Sequence, residues 1–158
     1  MLFRSFNADH SGHGQIDFPT VLQVSRNVGM VQAMAHLNRN RYWEWLHTLG
    51  IDEVPDTDLP GAVAGQLKNR ADFTAGAIEP ATAAFGQGFS LTPLKLIQLH
   101  GMLANGGRLV SPHITRGLRS GDALASHGTP TGVQLIDPSV TRTVVDWMED
   151  RKSTRLNS

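Results

Sequence analysis

Val24-Ser25-Arg26-Asn27-Val28-Gly29-Met30 sets a polar tripeptide between two apolar runs, and its reading as a corner between helices decides the rest of the chain. Ahead of it, Phe18-Pro19-Thr20-Val21-Leu22-Gln23-Val24 predicts a short helix, with Asp17 as its cap and Pro19 in the first turn, where a missing N–H costs nothing. Behind it, Met30, Val31, Met34, Ala35 and Leu37 recur at three- and four-residue steps, which predicts a second helix with one buried face. The hydroxyl of Ser25 and the carboxamide of Asn27 therefore stand where two anchored helices meet. Ser and Asn also cap helix breaks, because their short side chains satisfy stray backbone groups. On three letters alone, that structural role is the default.

The surroundings point elsewhere. The corner is followed by Phe85-Gly86-Gln87-Gly88-Phe89-Ser90-Leu91-Thr92-Pro93-Leu94-Lys95-Leu96, then by Leu103-Ala104-Asn105-Gly106-Gly107 and Ser111-Pro112. From Gln15 to Glu149 this series resembles the transpeptidase domain of class B penicillin-binding proteins, most of all the division-type enzymes that cross-link septal peptidoglycan. That family works with three motifs, Ser-x-x-Lys, Ser-x-Asn and Lys-Thr-Gly. Ser25-Arg26-Asn27 matches the second, with Arg26 at its variable middle position.

The resemblance implies an α+β fold like that of the serine β-lactamases, an antiparallel sheet flanked by helices with the active site at the seam. This chain would supply mainly the helical part, with the central sheet largely missing. It implies acyl transfer: a serine activated by a lysine attacks the penultimate D-alanine carbonyl of a stem peptide, and an amine from a neighbouring stem resolves the acyl-enzyme. In that scheme the Ser25 hydroxyl relays a proton towards the leaving nitrogen, and the Asn27 carboxamide holds the catalytic lysine and a substrate amide. The implied partners are peptidoglycan stem peptides, β-lactams and, for the parent protein, division proteins. No cofactor or metal is implied. The parent would be anchored in the bacterial plasma membrane with this domain on the periplasmic side.

A lysine census limits what the chain does alone. Its lysines are Lys68, Lys95 and Lys152, and three residues before them stand Gly65, Thr92 and Glu149, so Ser-x-x-Lys is absent. After them come Asn69-Arg70, Leu96-Ile97 and Ser153-Thr154, so Lys-Thr-Gly is absent too. The chain thus reads as an internal piece, residues 1–150 a partial transpeptidase domain and the polar stretch 151–158 a non-native tail.

Composition agrees with one modest domain. Fourteen basic residues balance fourteen acidic ones, which gives no field to recruit nucleic acid, and the lack of cysteine excludes disulfides and thiolate metal sites. No apolar run approaches the roughly 20 residues that span a bilayer.

Two other functions compete. Residues 7–17 look like an EF-hand loop, which would make a noncatalytic calcium- or metal-binding module, with His10 and His13 as further ligands. Counted from Asp9, however, position 5 is His13 and position 12 is Thr20 where a bidentate Glu belongs. Counted from Asn7, position 12 is Phe18. The other alternative is a related serine carboxypeptidase or β-lactamase, against which the Phe85–Pro93 block argues. Gly86-Gln87-Gly88 lacks the Lys-Ser/Thr ending of a phosphate loop and reads as close-approach glycines.

Elsewhere the pattern predicts a helix over 41–49 that buries Tyr42, Trp45, Leu46 and Leu49, leaves Trp43 outward and stops at Gly50. Residues 51–78 read as an extended loop whose Asp52, Glu53, Asp56 and Asp58 are simply solvated. Thr92 and Pro93 open a helix apolar around most of its circumference, hence central and largely buried. A strand over 108–114 is demoted by Pro112, 117–132 reads as an exposed loop, and Asp137-Pro138 opens a last helix.

Overall fold

The computed structural model describes residues 17–126 and 132–156. Its elements, in chain order, are α1 (Phe18–Gln23), α2 (Asn27–Ala35), α3 (Arg39–Thr48), α4 (Arg70–Ala75), α5 (Ile78–Ala83), α6 (Pro93–Ala104), β1 (Arg108–Val110), β2 (Gly117–Ser120), β3 (Ala123–Ser126), β4 (Gly132–Gln134) and α7 (Pro138–Leu156). Residues 7–16 of the calcium-loop candidate lie outside the described residues. Its last member, Asp17, is described and caps α1 by accepting from Thr20 N at 3.0 Å. The fold is mainly helical with little sheet, as the α+β reading expected. Among the described residues β1 pairs only with β4, and β2 only with β3, all antiparallel. No described helix is long and apolar enough to cross a membrane.

The packing forms a continuous succession. α3 lies on α4, α4 on α5, α5 on α2, α2 on α1, α1 on α7, α7 on α6, and α6 on β1. The core sits at the α3–α4 end, where Phe73 and Ile51 are 1 % and 2 % exposed and pack with Leu46 and Ala83. Tyr42 meets Phe73 edge to face, its ring centroid 5.6 Å away, and burial pushes its phenol up to about 12.

Several expectations fail here, each for a local reason. Trp45 is 48 % exposed, while Trp43 packs on the core. The two tryptophans flank the Tyr42–Leu46–Leu49 stripe at similar angles, so periodicity cannot choose between them. The chain segment at Lys68 chooses, because its carbonyl accepts the Trp43 indole N–H at 2.8 Å. Residues 51–78 are not one loop. Asn69 accepts from Asp72 N at 2.9 Å and so starts α4, which carries the most buried large side chain, Phe73. Residues 117–132 hold a two-residue hairpin, with Gly121 at φ 61° as the first central residue, the position that a type II′ turn gives to glycine.

Asp52, Asp56 and Asp58 of the 52–58 stretch have structural partners and are not simply solvated. Asp58 takes the backbone N–H groups of Ile114 and Thr115 at 2.8 and 2.9 Å together with the Thr115 hydroxyl, and the Ser111 hydroxyl donates to Asp56 at 3.3 Å. His47 meets Asp52 at 3.0 Å. β1 accordingly ends at Val110, and the segment beyond it, Pro112 included, is fastened to the loop.

α6 is turned against its apolar surface. Lys95, Gln98 and Met102 are its buried residues, whereas Leu96 and Ile97 are 45 % and 65 % exposed. Leucines on both sides leave the orientation open, and polar tethers settle it. Gln98 Nε2 donates to Val110 O at 3.0 Å, and Lys95 lies against Gly50 with the Glu53 carboxylate near. Burial pulls the Lys95 ammonium below its ordinary value, partly opposed by Glu53. α7 runs beyond Glu149 to Leu156, carrying the first residues of the 151–158 stretch.

Phe73→Ala should cost about 3–5 kcal/mol in a urea or guanidinium titration, the range for removing a buried phenylalanine ring. The hydrogen bonds to Asp58, that from the Thr115 hydroxyl foremost, hold its carboxyl at about 2, below the ordinary 3.8. The fastening is therefore complete above pH 3.8 and is lost as pH falls through about 2. Stability measured across that interval should fall less steeply in Asp58→Asn than in the unaltered chain.

Candidate active site

α1 ends in a Schellman turn. Arg26 N donates to Val21 O at 3.0 Å and Ser25 N to Leu22 O at 3.2 Å, the two bonds that define this turn. The residue between helix end and closing bond must be left-handed, a place usually given to glycine. Here it is Ser25, φ 53°, the one non-glycine residue at positive φ among the described residues. The conformation costs on the order of 1 kcal/mol and is found where the surroundings over-determine it.

Three features do so. Arg26 is extended, φ −87° and ψ 109°, and its carbonyl accepts Met30 N at 3.1 Å as α2 begins. Val21, 5 % exposed, touches Gly29 so closely that an added Cβ would sit 2.6 Å from both valine methyls. Arg26 itself is 7 % exposed.

Ser25 is exposed, and its hydroxyl makes no hydrogen bond among the described residues; Asn27, the first residue of α2, is half-buried. Neither residue is the helix cap. The N-cap position of α2 belongs to Arg26, which makes no side-chain cap bond. An exposed hydroxyl and a carboxamide two residues on, held on a rigid corner, suit proton relay and the holding of a charged or amide partner. The burial of Arg26 is what the sequence reading missed. No composition signal marks it. Among the described residues no three His, Cys, Asp or Glu side chains are grouped to hold a metal.

Comparison with known proteins shows the family. The penicillin binding protein transpeptidase domain model matches residues 1–155. The chain belongs to the penicillin-binding protein transpeptidase family. It is 38% identical over 117 residues to a peptidoglycan D,D-transpeptidase FtsI homolog of Mesostigma viride, covering 73% of this chain and 19% of that protein. A protein of the same description from Chlorokybus atmophyticus is 44% identical over 101 residues, covering 62% of this chain and 15% of the relative. The chain thus spans under a fifth of the length of these relatives. Among solved structures, the apo TP domain of penicillin-binding protein 3 from Burkholderia pseudomallei superposes with TM-score 0.73 at 27% identity, covering 88% of this chain and 39% of that one.

The corner makes opposite predictions at its two key residues. Ser25→Gly relieves the left-handed strain and should raise stability by about 0.5–1 kcal/mol, since glycine adopts this φ without a Cβ clash. Gly29→Ala drives a methyl into Val21 and should cost about 1–3 kcal/mol. Denaturant titrations of both variants check the pair.

Proposed function

We propose that this chain is the helical part of a peptidoglycan D,D-transpeptidase that cross-links stem peptides through a serine acyl-enzyme, and that Ser25 and Asn27 serve that serine. The observation that carries the reading is the strained, exposed Ser25. Its hydroxyl meets no partner among the described residues, although a glycine there would satisfy the turn at lower cost.

In the reaction, the Ser25 hydroxyl accepts a proton from one side and passes it towards the leaving nitrogen. The Asn27 carboxamide offers its oxygen to the catalytic lysine and its NH₂ to a substrate carbonyl. β-Lactams acylate the same nucleophile. The similarity to peptidoglycan D,D-transpeptidase FtsI homologs supports this chemistry, and the parent is read as a membrane-anchored enzyme with this domain outside the cytoplasm, working beside division proteins. Because neither Ser-x-x-Lys nor Lys-Thr-Gly occurs in the sequence, the chain by itself has no nucleophile, activating base or carboxylate-binding strand to complete the cycle.

A fluorescent penicillin should leave the isolated chain unlabelled; saturable covalent labelling would overturn the assignment of the nucleophile to a separate motif. In the longer protein that carries all three motifs, Ser25→Ala should slow acylation by about 100- to 10,000-fold, the usual worth of a positioned acid or base. Asn27→Ala should cost about 1.5–3 kcal/mol of transition-state stabilisation, the worth of a hydrogen bond to a charged group. Parent-like rates in both variants would return the pair to a purely structural role.

A further inference from the structure

The middle residue of the motif, by resemblance its variable position, is the one most deeply buried. Arg26 is 7 % exposed, whereas Ser25 before it is exposed and Asn27 after it half-buried. A long cationic side chain is rarely placed inside without a reason, since burial costs it hydration. The backbone supplies one. Arg26 is the one extended residue between a left-handed residue and the first residue of a helix, so the chain changes direction at it. Holding its side chain inward therefore holds in place the backbone from which both Ser25 and Asn27 depart.

The same residue provides both backbone ends of the corner, its N–H closing α1 on Val21 O and its carbonyl receiving Met30 N of α2. A residue held at N–H and carbonyl, with its side chain buried, has little freedom in φ or ψ. The two residues beside it inherit that restriction.

We infer that Arg26 is a positioning residue, its buried side chain setting the relative direction of the Ser25 hydroxyl and the Asn27 carboxamide. The inference rests on the transpeptidase reading and adds to it a determinant in the motif's middle position. The consequence concerns which substitutions the site accepts. A residue there that prefers solvent would rotate the corner, while a side chain of similar length that stays inside would preserve it.

The test uses the longer protein with all three motifs and follows β-lactam acylation per folded molecule, with folding read from circular dichroism melts. Arg26→Met keeps most of the apolar stem without the guanidinium, and Arg26→Lys keeps stem and charge. Acylation should slow about 10- to 100-fold in Arg26→Met, as expected for a misplacement of about 1 Å, and less in Arg26→Lys. The penalty should shrink in a Ser25→Ala background, because the residue through which Arg26 acts is then missing. A folded Arg26→Met at the parent rate, or a penalty fully additive with Ser25→Ala, overturns the inference. If Arg26→Met does not fold, a parent-rate Arg26→Lys whose melt is lowered does the same, since it marks a structural role only. Should Ser25→Ala itself acylate at the parent rate, the transpeptidase role of the corner fails first; a slow Ser25→Ala beside a parent-rate Arg26→Met removes Arg26 alone.

Discussion

The hydrogen bond from Arg26 N to Val21 O is the constraint on which the candidate site depends. It closes α1, makes the intervening residue left-handed, and fixes the angle at which α2 departs. The contact between Val21 and Gly29 completes it, since the two helices approach there to a distance that excludes even a methyl group. The corner also lies in the middle of the packing succession, with α5, α4 and α3 on one side and α7 and α6 on the other. Its geometry is thus clamped from both directions. That is a sound place for a strained residue, because a single φ in a disfavoured region persists only when neighbours hold it there.

Much of this was legible in the sequence where one residue has one physical job. Asp17 caps α1, Thr92 accepts from Lys95 N at 3.2 Å to cap α6, and Pro19 and Pro93 stand in the first turns as their missing N–H groups allow. Gly50 stops α3 at φ 69°. The α+β class and the family followed from local blocks of sequence, which composition alone would not have given. The candidate pair stood in the sequence only as two letters of a motif; the turn that holds them did not.

The misreadings share a cause. Trp43 against Trp45, and Lys95 and Gln98 against Leu96 and Ile97, are choices that a helix pattern leaves degenerate because apolar residues occur on more than one side. A few long-range polar contacts break the tie: Trp43 to Lys68 O, Gln98 to Val110 O, and Lys95 beside Glu53. Asp58 belongs to the same class, since its partners lie 56 and 57 residues away. Periodicity reports what a segment prefers, while pairings across the chain decide which face it turns inward. α4 was missed for a different reason. Its six residues are too short to show a period, although Asn69 at its head was a capping letter in plain view.

The β2–β3 hairpin pairs with itself and, among the described residues, shares no substantial packing with any helix. It therefore sits outside the cooperative unit formed by α1 to α7, and its ladder opens and recloses without asking the core to melt. Such an appendage re-forms in about 1–10 μs, far faster than a domain refolds. A change of length or charge in this arm therefore leaves the stability of the helices behind it nearly untouched.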